Sequence, residues 1–109
     1  MKVLTAIIDA DSIEAELQKN ISEHRREYLT GILDNISGIK RSCTEIIETS
    51  FADDSSWEEF YCKASGYELV RICGAYLERC IQSAEKTLRE KGIPPEIIRE
   101  ATASASDNL

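Results

Sequence analysis

Four cysteines and a single histidine are the side chains here with the widest chemical range. Cys62, Cys73 and Cys80 are separated by eleven and seven residues, whole numbers of helical turns, so on a helix they project from one face. Structural zinc sites use ligands paired two to four residues apart, as in C-x-x-C, and the chain has no such pair. The spacing therefore predicts no metal site, and cysteines that pack as small hydrophobes in a core. Cys43 and Cys62 form the one candidate redox pair, because a helical hairpin would bring them face to face. His24 stands between Glu23 and Glu27, yet carboxylate-bridged di-iron bundles need Glu-x-x-His on two helices. His24 reads as a surface residue.

Nucleophilic and nucleotide chemistry leave no recognisable trace. There is no G-x-S-x-G elbow, no G-x-G-x-x-G turn and no phosphate-binding G-x-x-x-x-G-K-[ST] loop in the sequence, so neither an activated serine nor a nucleotide cofactor has a cradle. The expectation is a protein that is not an enzyme, with no catalytic residues and no cofactor.

The elements that would position these residues read as helices. Between Ser12 and Thr49 there is no proline, and Ile13, Leu17, Ile21, Tyr28, Ile32, Ile36, Ile39, Cys43 and Ile46 recur every three or four residues, a helical period. Asp11 followed by Glu14 resembles a capping box. The polar cluster from Ala52 to Ser56 signals a turn. A second cap, Ser55 with Glu58 or Ser56 with Glu59, leads into Phe60, Ala64, Tyr67, Val70, Gly74, Leu77, Ile81, Ala84 and Leu88, a spacing close to a heptad. Gly92-Ile93-Pro94-Pro95 is a stop. The prediction is an all-α chain: one domain over 1–109, with an N-terminal segment 1–11, helices over about 12–49 and 56–91, a short C-terminal helix after Pro95, and a flexible tail over 102–109.

Two such helices fold back as an antiparallel hairpin about 55 Å long. With the turn near Ala52, Cys43 faces Cys62, Gly31 faces Gly74, and Gly38 comes close to Gly66. Glycine inside a helix costs about 1 kcal/mol relative to alanine, so these four glycines are candidates for close helix contact. The alternative is that Gly31 and Gly38 break the first helix, giving a compact monomeric four-helix bundle. In the hairpin, Ile13, Leu29, Leu33, Leu69 and Ile72 widen the apolar stripe beyond one seam. A second copy covering it would make a homodimeric four-helix bundle.

Thirteen Lys and Arg against twenty Asp and Glu give a net charge of −7, a poor basis for binding nucleic acid, whose affinity rests on cations displacing counterions. No segment approaches the roughly 20 apolar residues of a membrane span, and the opening residues do not resemble a signal peptide. A cytoplasmic protein with reduced thiols is expected. Phe51, Trp57, Phe60 and Tyr61 form an aromatic cluster rimmed by Asp53, Asp54, Glu58 and Glu59. Such a cluster closes a bundle end or anchors a protein partner with a basic surface. The functional expectation is a non-enzymatic interaction or regulatory module, acting as a homodimer on another protein. The alternatives are a redox-responsive protein using Cys43 and Cys62, and a small-molecule or enzymatic pocket between helices.

Overall fold

Leu4 to Ile8 is an unbroken run of apolar and β-branched residues, and in the computed structural model it forms the central strand of a parallel sheet. The structure describes residues 2–50 and 54–106. In chain order the elements are β1 (Val3–Ile8), α1 (Ala10–Leu17), α2 (Glu23–Ser42), β2 (Ile46–Thr49), α3 (Asp54–Ala64), β3 (Leu69–Ala75), a π-helical turn (Leu77–Ile81) running directly into α4 (Gln82–Glu90), and β4 (Pro95–Ala103). The sheet order is β2-β1-β3-β4, and every pairing is parallel.

Parallel strands must be buried on both faces, because the helices that connect them pack there. On β1, Leu4, Ala6 and Ile8 meet Phe60 and Ala64 of α3 and Ala84 and Leu88 of α4. Ile7 points the other way, towards Ile13 of α1 and Leu29, Ile32 and Ile36 of α2. The two-residue alternation of a strand thus divides one sequence run between two cores. α2 buries positions 25, 29, 32 and 36, the helical period of a single apolar stripe, with Ser22 capping its start by accepting a hydrogen bond from the Arg25 amide at 3.1 Å.

This α/β architecture replaces the all-α hairpin and with it the four-helix dimer. The expected helix over 12–49 is α1, a break near residue 20, α2 and then strand β2. Its compact alternative also differs from the structure, since α2 runs without interruption through Gly31 and Gly38. The expected helix over 56–91 starts and ends within about two residues of where α3 begins and α4 ends, but Leu69–Ala75 between them is a strand. The segment 1–11 contains β1, and the proline-led segment after residue 94 is β4. Proline at the first residue of an edge strand leaves no ladder donor missing. The expected tail is partly ordered: Thr102, Ala103 and Ser104 are buried.

The physical reason is that short buried strands and helix segments carry the same apolar signature when the window is only a few residues long. Ile13, Leu29 and Ile72, which in a hairpin would wait for a second copy, are buried within the single chain. Among the described residues no helix is long and apolar enough to cross a membrane.

Candidate functional site

Strand order reverses beside β1: the chain passes from β1 outward to β2, then returns to β3 on the opposite side and continues to β4. At such a reversal the connections after two neighbouring strands leave in opposite directions and open a crevice beyond their carboxyl ends. Here those ends are Ile8 and Gly74, paired in register. A Cβ built on Gly74 would lie 1.9 Å from the Ile8 carbonyl oxygen, and the backbone there has φ +118. Only glycine lets β3 come this close to β1 and turn away.

Asp9 follows Ile8 directly. Its backbone is left-handed, with φ 52 and ψ 35, a region that Asp tolerates better than most residues, and its amide donates to the Thr49 carbonyl at 2.9 Å. This turn holds the Asp9 side chain at the crevice floor, where the residue is only 5% exposed. From the other side, β3 ends in Ala75-Tyr76, joined by a cis peptide, and the π-helical turn carries Cys80 over the same floor. Cys80 and Asp9 line the same crevice, with the thiol near enough to the Asp9 carboxylate to feel its charge. Burial first, and then the neighbouring Asp9 carboxylate, push the thiol up to about 12. The Cys80 backbone amide works in the opposite direction, stabilising the sulfur's anionic form.

The crevice has a volume of about 470 Å³, with Asp9, Ser12, Ser50, Tyr76, Arg79 and Cys80 in its walls and Asp11 and Ser83 completing the lining. A buried polar network fixes the Tyr76 wall. Arg25, 1% exposed, donates to both Glu16 oxygens, at 2.7 Å from Nε and 3.0 Å from Nη2, and to the Ser104 carbonyl at 2.7 Å. The Tyr76 hydroxyl donates to the same Glu16 carboxylate. Hydrogen bonding from Arg25 holds the Glu16 carboxyl below the usual range against an opposing desolvation, and Tyr76 adds to it. Ser104 donates its amide to the Tyr28 hydroxyl at 2.8 Å and its hydroxyl to Glu78. Helices α1 and α2, the turn after β3 and the end of β4 are thereby tied together around the crevice.

The residues singled out from sequence lie elsewhere. Cys43 caps α2 and Cys62 is exposed on α3, helices that cover opposite faces of the sheet, so the structure does not bring them together. All four cysteines are free. The glycine pairs dissolve with the hairpin: Gly31 and Gly38 have nothing within 4 Å of a built Cβ, Gly66 meets only the Lys63 carbonyl at 3.6 Å, and Gly74 approaches a strand. Phe60 is fully buried, with Trp57 and Tyr61 packed beside it against the α3–α4 core; Phe51 lies outside the described residues. His24 is exposed, and no metal-binding cluster occurs among the described residues. A wider hollow of about 660 Å³ contains Cys62, Tyr61, Tyr67 and Lys91, but its cysteine has no buried carboxylate beside it.

Periodicity conceals Asp9 and Cys80, because it assigns Cys80 to a helix face and leaves Asp9 in a segment without structure. One signal was present for Asp9: it directly follows the apolar, β-branched run Leu4–Ile8, where parallel sheets place their ligands, whereas Cys80 stands seven positions beyond Cys73 and carries no such mark. The chain matches no family model, no curated protein and no solved structure.

Proposed function

We propose that the chain is a cysteine-dependent hydrolase or acyl-transfer enzyme for a small carbonyl substrate, with Cys80 as nucleophile and Asp9 as the proton acceptor that activates it. This reading takes the place of the non-enzymatic partner-binding module expected from sequence. The observation that carries it is the placement of the Cys80 thiol and a nine-tenths-buried Asp9 carboxylate together in one open crevice at the carboxyl ends of β1 and β3. A nucleophile within reach of a positioned base is the arrangement that covalent catalysis requires.

The raised thiol decides the order of events. At neutral pH Cys80 rests protonated, so sulfur attacks the carbonyl carbon while its proton passes to Asp9. The proton then goes to the departing amine or alcohol, leaving a thioester on Cys80. In hydrolysis, Asp9 takes a proton from water as the water oxygen attacks the thioester, and returns it to the departing sulfur. Arg79 and the Cys80 amide are the groups near the sulfur that favour negative charge there.

The test uses p-nitrophenyl acetate with the full chain. One equivalent of nitrophenolate should appear in a burst, with an acetyl group on the Cys80 peptide by mass spectrometry. Cys80→Ser abolishes both, Cys62→Ser leaves both intact, and Asp9→Asn slows acylation by about 100-fold or more. Absence of a burst in the wild-type chain, or acetylation that ignores Asp9→Asn, overturns the proposal.

A further inference from the structure

Beside the crevice lies a second hollow of about 490 Å³, and the two share Ser12, Tyr76 and Arg79 as a common wall. Three cations, Lys19, Arg25 and Arg79, line this second hollow against the single carboxylate of Glu16. That carboxylate is fully engaged, held by Arg25 and Tyr76. Arg79 and Lys19 are exposed, and neither makes a salt bridge among the described residues. In a chain of net charge −7, a concave patch with three cations to one carboxylate next to the proposed nucleophile is a local reversal of the molecule's field. Such a patch concentrates anions where it faces.

We infer that the substrate of the Cys80 site carries a carboxylate, which sits in the second hollow against Arg79 and Lys19 while its carbonyl group lies over Cys80. This assignment rests on the catalytic reading of Cys80 and Asp9. The placement of the acidic groups agrees with it. Asp9 and Asp11 line only the first hollow, so the second presents no free carboxylate to repel an anion. Arg79 is also the residue immediately before Cys80, which places its guanidinium on the wall between the reacting sulfur and the cationic hollow. The guanidinium's planar fork suits a carboxylate held by two parallel hydrogen bonds.

A matched pair of thiol reagents tests the charge preference without knowledge of the substrate: N-ethylmaleimide, which is neutral, and N-(2-carboxyethyl)maleimide, which differs by a carboxylate. Both form the same carbon–sulfur bond, the thiol proton ending on the ring carbon. Labelling rates at Cys80 and at the exposed reference Cys62 are read peptide by peptide in the folded chain. The expected result is an anionic-to-neutral rate ratio about tenfold higher at Cys80 than at Cys62, equivalent to about 1.4 kcal/mol. The excess should disappear in Arg79→Gln, fall in Lys19→Gln, persist in Arg79→Lys to a lesser degree, and shrink in 0.5 M salt as screening shortens the reach of charge. An equal ratio at the two cysteines, or an excess that survives the double variant Arg79→Gln with Lys19→Gln, overturns the carboxylate assignment and leaves the catalytic reading standing. Failure of both reagents to label Cys80 while Cys62 reacts overturns both.

Discussion

Asp9 and Cys80, 71 positions apart in the sequence, line one crevice because β1 and β3, the strands they follow, are neighbours. Asp9 has two opposed effects on the sulfur. Its negative charge makes the thiolate harder to form, yet in the proposed reaction its carboxylate takes the proton.

These effects separate in the Asp9→Asn variant. Removing the charge should lower the Cys80 thiol from about 12 towards its ordinary value, seen as thiolate absorbance near 240 nm that grows in at lower pH than in the wild type. Turnover of an ester should nevertheless fall by about 100-fold, since no base remains. A variant that titrates lower and also turns over faster would show that Asp9 acts by charge alone.

Gly74 and the two glycines of α2 should respond to alanine with opposite signs. A methyl group at Gly74 collides with the Ile8 backbone at a positive φ, so Gly74→Ala should cost about 3–5 kcal/mol, the range of the most disruptive substitutions. Gly31→Ala and Gly38→Ala, with nothing within 4 Å, should each add about 0.5–1 kcal/mol. Urea denaturation of the three variants measures all of these. Destabilisation by Gly31→Ala would mean that α2 packs against something at that position.

The Glu16–Arg25 pair predicts an acid-side loss of stability. The Arg25 hydrogen bond keeps the Glu16 carboxyl below its unfolded value of 4.5, so the unfolded chain binds this proton first as pH falls. The contribution is complete above about pH 4.5 and is lost as pH drops through the lower folded value. Glu16→Gln should flatten this part of the pH–stability curve. Glu16→Ala at pH 7 should cost about 3 kcal/mol by leaving the buried Arg25 guanidinium without its anion. Chemical denaturation between pH 3 and 7 would reveal both.

On the alkaline side the sign is reversed. Burial pushes Cys73 up to about 12 from 9.0, so between these values the folded chain holds a proton that the unfolded chain has released. Stability should be level below pH 9 and decline from there towards pH 12. Cys80 and Tyr76, each raised to about 12, steepen the decline, and Cys73→Ala should make it shallower. A stability profile that stays flat to pH 11 would contradict the burial of these groups.

Local signals near chain breaks were legible in the sequence. The end of α4 before Gly92, which has φ +76, follows from glycine's freedom in the left-handed region and from the prolines beyond it. The amphipathic stripe of α2 follows from the period of Leu29, Ile32 and Ile36, whereas α3 begins at Asp54, so the serines expected to cap it, Ser55 and Ser56, lie within the helix. What helix period alone does not distinguish is a buried strand of five to seven residues, since Ile46-Ile47 and Leu69 to Cys73 satisfy a three-to-four spacing as readily as a two-residue one.

Composition and local period thus determined the amphipathic stripe of α2 and the stop after α4. Strand identity, the parallel sheet order and the meeting of Asp9, Tyr76, Arg79 and Cys80 were decided only in tertiary structure. The reason is energetic: a parallel strand gains its stability from neighbours distant in sequence and from helices on both faces, so nothing within Leu69–Ala75 by itself outweighs the helical alternative until β1 and β4 lie beside it.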